Sequence, residues 1–188
     1  RSWGQFPAPI AAALGLYNVR YFYDTEFIED GKTIELVSIG IVGENGSEYY
    51  AVSTDFDPAK ANSWVKDNVL AKLPSPRDPV WKPLETIRAE VFEFLTQSST
   101  PVELWAWVGA YDHVVLAQLW GDMAGLPRRM PRYTRELKQY WQMAGRPRLP
   151  KGPDGNHDAL VDARHNLRKF RACHEALPLG RDGAVSRS

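Results

Sequence analysis

Five residues, four carboxylates and one histidine, have types and spacings that could hold a cation or move a proton. Asp24 and Glu26 are separated by one residue within the run VRYFYDTEF. On a strand that spacing sends both side chains out of the same face, which makes them possible co-ligands. The plainer reading is two acids solvated at a strand end. Asp112 follows the apolar run VELWAWV, at the expected start of a helix. An aspartate in a first helical turn is also favoured by the helix dipole alone. The segment HDALVDA, His157 to Ala163, is more informative, because it leaves a Pro/Gly-rich loop and begins a helix with one imidazole and two acids. Asp158 and Asp162 share a face four residues apart, where like charges repel unless a cation or an arginine compensates. Asp158 reads more simply as a first-turn acid, and Arg164, Arg168, Lys169 and Arg171 as a solvated helix face.

These residues need elements to hold them. Val19 to Phe27 is rich in aromatic and β-branched residues and predicts a central strand. Thr33 to Val42 predicts a second strand, alternating Ile34, Leu36 and Ser38 against Glu35, Val37 and Ile39. Glu44-Asn45-Gly46 is a hairpin turn signal leading to a third strand over Ser47 to Ser53. A helical fragment follows around Ala59 to Val69, then a proline-rich loop. Leu84, Ile87, Val91 and Leu95 recur at helical spacing and predict a helix over Pro83 to Gln97. A buried strand is expected at Val102 to Val108. A helix is expected at Tyr111 to Trp120, with Tyr111, Val114, Val115 and Leu119 facing the core. A further helix is expected near Thr134 to Met143, and a last one over His157 to Ala176 with a Leu160, Ala163, Leu167, Phe170 stripe. A meander followed by alternating helix and strand predicts a mixed α/β sheet flanked by helices.

Length and charge constrain the rest. A chain of 188 residues suits one domain that buries roughly two-thirds of the surface its unfolded form exposes. Lys plus Arg equals Asp plus Glu, at 23 each, so no global basic field points to nucleic acid, although an acidic site offsets a basic groove in the total. No apolar run approaches a membrane span. The single Cys173 excludes an intramolecular disulfide and fits a reducing, cytoplasmic setting. Residues 1–18 are expected to be a leader or appended remnant, 19–176 the folded domain, and 177–188 a disordered tail.

The order DTE, then YD after a buried strand, then HDALVDA resembles the DEDD exonucleases of the DEDDh subgroup. Asp24-Thr25-Glu26 resembles the first motif, Tyr111-Asp112 the second, and His157 with Asp162 the H-x4-D third motif. The resemblance spans nearly all of residues 19–176. It implies a ribonuclease H-like fold with a five-stranded mixed sheet in the order 3-2-1-4-5. It also implies two divalent ions, Mg²⁺ or Mn²⁺, held by Asp24, Glu26, Asp112 and Asp162. Oxygen donors match such hard ions. His157 is implied as general base, imidazole being the side chain most often used in that role. One departure is Val108, where the second motif often carries an asparagine. At finer resolution VRYFYDTEF, ELWAWVGAYDH and HDALVDAR are similar to the RNase AS group of homodimeric, polyadenylate-specific exoribonucleases. That resemblance implies 3′-5′ hydrolysis of single-stranded RNA with adenylate preference and release of nucleoside 5′-monophosphates. Glu26 would contact the terminal 3′-hydroxyl, and Phe27 and Trp107 offer stacking surfaces. DNA as substrate, or a catalytically silent nucleic-acid-binding protein on the same fold, remain alternatives.

Overall fold

The computed structural model describes residues 18–155 and 157–180. The strands are β1 (Val19–Glu29), β2 (Ile34–Gly43), β3 (Glu48–Ser53), β4 (Trp81–Lys82), β5 (Val102–Ala106) and β6 (Arg135–Glu136). The helices are α1 (Ser63–Asn68), α2 (Leu84–Leu95), α3 (Ala110–Gln118), α4 (Leu137–Met143) and α5 (Ala159–Ala176). One mixed sheet runs β4-β3-β2-β1-β5-β6. The expected order 3-2-1-4-5 is present in it, with β5 and β6 as the fourth and fifth strands. The two-residue β4, parallel to β3, is an added edge and makes the count six. β1 lies inside, antiparallel to β2 and parallel to β5.

Alternation along β1 divides its side chains between two cores. Tyr21 and Tyr23 join Ile39, Ile41 and Leu104 under α2 and α3. Phe22 joins Val42, Trp105 and the Ala163, Leu167, Phe170 stripe of α5. Asp24 and Glu26 follow the parity of Phe22, which puts them on the α5 side of the sheet. The simple alternation expected along β2 fails at one point. Register steps from Glu26 opposite Ser38 to Phe27 opposite Leu36, a bulge that leaves Val37 as the extra residue. Leu36 therefore shares a core with Ile39 and Ile41, while Val37 turns to a third cluster with Ile28 and Val65.

Glycine is required at Gly40. It pairs with Asp24 across the β1–β2 ladder, and a Cβ there would lie 2.4 Å from Ala159 C and O and from Leu160 Cα. The first turn of α5 thus rests on bare backbone directly beside Asp24.

Three local expectations are corrected. Tyr111 and Val114 do not face the core; they are 55% and 48% exposed. The helix begins at Ala110, so its buried stripe is Asp112, Val115, Leu116 and Leu119. Arg135 and Glu136 pair with β5 as a strand, so the helix expected from Thr134 starts at Leu137. Within the expected tail, Leu177 and Leu179 pack on the second core and the Gly180 carbonyl accepts from Arg20 at 2.6 Å. Residues 1–17 and 181–188 lie outside the described residues. No helix among the described residues is long and apolar enough to cross a membrane.

Candidate active site

All five chemistry-bearing residues line one open cleft of about 390 Å³ at the carboxyl ends of β1 and β5. β1 supplies Asp24 and Glu26, the start of α3 supplies Asp112, and the entrance of α5 supplies His157 and Asp162. Asp112 is buried, and its Oδ1 accepts from Thr25 N at 2.8 Å and Thr25 Oγ1 at 2.7 Å. The residue between the two motif acids therefore fixes the third. Asp162 Oδ2 accepts from the His157 backbone N–H at 2.7 Å. His157 holds φ of 66°, a left-handed conformation uncommon for a side-chain-bearing residue. Its ring meets Trp64 edge-to-face at 4.8 Å. Asp158 is the N-cap of α5, accepting from Leu160 N and Val161 N, one position before the first turn in which it was expected.

Burial shapes the electrostatics. Desolvation, then the charges of Asp112, Glu26 and Asp162, hold the Asp24 carboxyl well above the usual carboxylate range. Desolvation followed by repulsion from Asp162 and Asp112 pushes Glu26 up to about 8. Asp112 is raised by burial to about 6 against the two Thr25 bonds, and Asp162 is raised by burial against the His157 N–H. Glu26, His157 and Asp162 each offer a ligand atom within 4.8 Å of the others. An all-carboxylate set whose members repel one another, with a single imidazole beside it, fits hard divalent cations.

Phe27 stacks on Tyr111, with centroids 5.6 Å apart and planes 8° apart, at the rim of the cleft. Trp107 also lines the cleft, but Lys169 Nζ lies 4.4 Å from its ring centroid. Val108, at the departure from the second motif, is exposed with φ of 58°, and its N–H donates to Glu136. Lys169 itself corrects the reading of the α5 cations as a uniformly solvated face: it is half-buried and lines the site together with Asn166. The spacing four and seven residues beyond Asp162 carries that signal, because it returns Asn166 and Lys169 to the same helix face. Trp64 has no comparable signal, since only tertiary packing brings α1 to His157.

A ribonuclease H-like sheet that gathers four acids and a histidine from its first strand, a middle helix and its last helix has the layout that the DEDDh resemblance implied. More narrowly, residues 19–174 match the profile of the 3′-5′ exoribonuclease Rv2179c-like domain, and the chain belongs to that family. It is 58% identical over 167 residues to 3′-5′ exoribonuclease Rv2179c of Mycobacterium tuberculosis, covering 88% of this chain and 99% of the relative. Among solved structures it resembles the nuclease domain of 3′hExo, a DEDDh family member, bound to rAMP. That match has a TM-score of 0.55 and 12% identity, covering 92% of this chain and 98% of the other. The zinc-bound complex of Escherichia coli ExoI with single-stranded DNA gives a TM-score of 0.60 at 12% identity, over 86% of this chain; the chain spans 41% of ExoI. At these identities the two structures speak to the fold.

Proposed function

We propose that this chain hydrolyses single-stranded RNA from the 3′ end, prefers adenylate, and releases nucleoside 5′-monophosphates. The observation that carries the reading is the convergence of Asp24, Glu26, Asp112, His157 and Asp162 in one cleft, within a chain 58% identical to a named exoribonuclease. Asp24, Glu26, Asp112 and Asp162 would hold two divalent ions, Mg²⁺ or Mn²⁺. Such ions supply charge neutralisation at the phosphate and a lowered pKa for the attacking water.

The chain's own groups do the rest. The His157 imidazole accepts a proton from a water as its oxygen attacks phosphorus. The bond to the upstream 3′-oxygen breaks, that oxygen takes a proton from solvent to become the new 3′-hydroxyl, and a 5′-monophosphate leaves without a covalent intermediate. The Asp162 carboxylate, through the His157 backbone N–H, and the Trp64 ring set where that imidazole stands. Glu26 accepts the hydrogen bond of the terminal 3′-hydroxyl and so excludes internal attack. Phe27, backed by Tyr111, presents a rigid face to the terminal base, and Trp107 a second. Retention of all four motif acids and the histidine in one cleft argues against a silent binding protein. The same reading makes the protein a cytoplasmic homodimer, which light scattering of the purified chain tests.

The deciding experiment offers 3′- and 5′-labelled oligomers of poly(A), poly(U), poly(C) and DNA at one Mg²⁺ concentration, with EDTA and EDTA-plus-Mn²⁺ controls. Stepwise loss from the 3′ end, fastest on poly(A) and absent in EDTA, is expected. Equal rates on all four refute the base preference, early internal fragments refute exonuclease action, and undiminished activity in EDTA refutes the metal assignment.

A further inference from the structure

Four Lys or Arg side chains lie on α5, and they differ sharply in what they do. Arg164 pairs with Glu48, its Nε 2.8 Å from Oε1. Arg168 and Arg171 are exposed. Lys169 lines the cleft, and it forms no ion pair with any carboxylate among the described residues, although Asp24 and Asp162 are close enough to act on it electrostatically. Its Nζ donates to the neutral Asn166 Oδ1 at 3.2 Å and sits 4.4 Å from the Trp107 centroid. Asn166 is itself fixed, since its Nδ2 donates to the Tyr23 carbonyl at 3.1 Å in the buried layer under Asp24. An ammonium has three donors, and among the described residues one is used. A half-buried cation anchored on an aromatic face and a neutral amide, at the wall of a nuclease cleft, is arranged to meet an anion from outside the chain.

We propose that Lys169 is a phosphate-binding residue of this cleft, its ammonium held by Trp107 and Asn166 against the backbone of the RNA end. The assignment rests on the exoribonuclease reading above. It gives Trp107 a specific task as the platform of the cation, on the ring face that Lys169 covers. Burial lowers the Lys169 pKa, with Asp162 and Asp24 opposing the shift, so an incoming phosphate meets a poorly solvated charge. The competing account is that Lys169 only balances the acids. The two accounts differ in what salt and metal do.

The test measures binding of a single-stranded RNA oligomer to the full chain in Ca²⁺, across a series of KCl concentrations, for the wild type, Lys169→Met and Lys169→Arg. Each phosphate contact to a single strand contributes about −0.7 to the slope of log K against log salt. Lys169→Met is expected to make the slope shallower by about 0.7 and to weaken binding roughly 10-fold at low salt, as for loss of a charge-assisted hydrogen bond. Lys169→Arg should keep the slope. An unchanged slope in Lys169→Met, with tighter Mn²⁺ binding by electron paramagnetic resonance, assigns the residue to charge balance and overturns the proposal. A measurement without substitution guards against misfolding: amine-reactive labelling of wild-type Lys169, read by mass spectrometry, should fall when RNA is added in Ca²⁺. Unprotected labelling also overturns it. Failure of the wild type to bind RNA at all refutes the exoribonuclease reading instead, and is seen in the same experiment.

Discussion

Gly40→Ala touches no group that does chemistry, yet it should cost most of the activity. The added Cβ would meet Ala159 C and O and Leu160 Cα at 2.4 Å, where ordinary contact starts at 3.4 Å. The neighbours are backbone and cannot rotate away, so the first turn of α5 must retreat from the sheet by about 1 Å, the difference between those distances. That turn carries Asp162 and follows His157, while Gly40 pairs with Asp24 on the neighbouring strand. The retreat therefore opens the cleft between its β1 acids and its α5 groups. A misplacement of about 1 Å can lower a rate by on the order of 10²-fold. Overpacking a filled interface costs about 1–3 kcal/mol, and at about 2–4 °C per kcal/mol for a domain of this size the melting temperature should fall by roughly 2–12 °C. The assay is kcat on a labelled adenylate oligomer with Mg²⁺, beside a thermal melt. Gly152→Ala is the control, because nothing lies within 4 Å of a Cβ at that position. A Gly40→Ala protein with wild-type kcat and melting temperature would falsify the idea that the α5–β2 contact sets the cleft.

His157→Ala should lower kcat by about 10²-fold or more while leaving RNA and Mn²⁺ binding near wild type, checked by single-turnover rates and a Mn²⁺ titration. In EDTA, stability should fall with rising pH: Glu26, raised to about 8 from 4.5, favours the folded state fully below about 4.5 and loses that contribution as pH passes 8. Melts at pH 5 and pH 8.5 measure this, and saturating Mg²⁺ should lift the pH 8.5 melt more; a higher melting temperature at pH 8.5 in EDTA contradicts the assignment. Glu103→Ala should destabilise without touching the cleft. Buried Glu103 pairs with buried Arg20 at 3.2 Å and accepts from Trp105 and Asn18, and breaking such a pair costs about 3–5 kcal/mol. A denaturant midpoint unchanged from wild type counts against that estimate.

By itself the sequence determined what short-range periodicity can encode. One-residue spacing on a β-rich run put Asp24 and Glu26 on one face, and apolar spacing marked α2 and α5 to within a few residues. The order of the motifs named the family of chemistry, because DTE, YD and HDALVDA each need only their own element to be recognisable. Tertiary structure decided what depends on register and on elements distant in the chain. The Val37 bulge reversed the faces of β2, which alternation alone does not foresee. The start of α3 at Ala110 turned Tyr111 outward to stack on Phe27 and turned Asp112 inward to Thr25. Only packing brought Trp64, from a segment that shares no local pattern with the motifs, against His157, and only packing set the Lys169 ammonium on the Trp107 ring. The acids could be listed from the chain, but their mutual repulsion and burial arise only when three elements bring them into one cleft, and that convergence is a long-range property of the sheet.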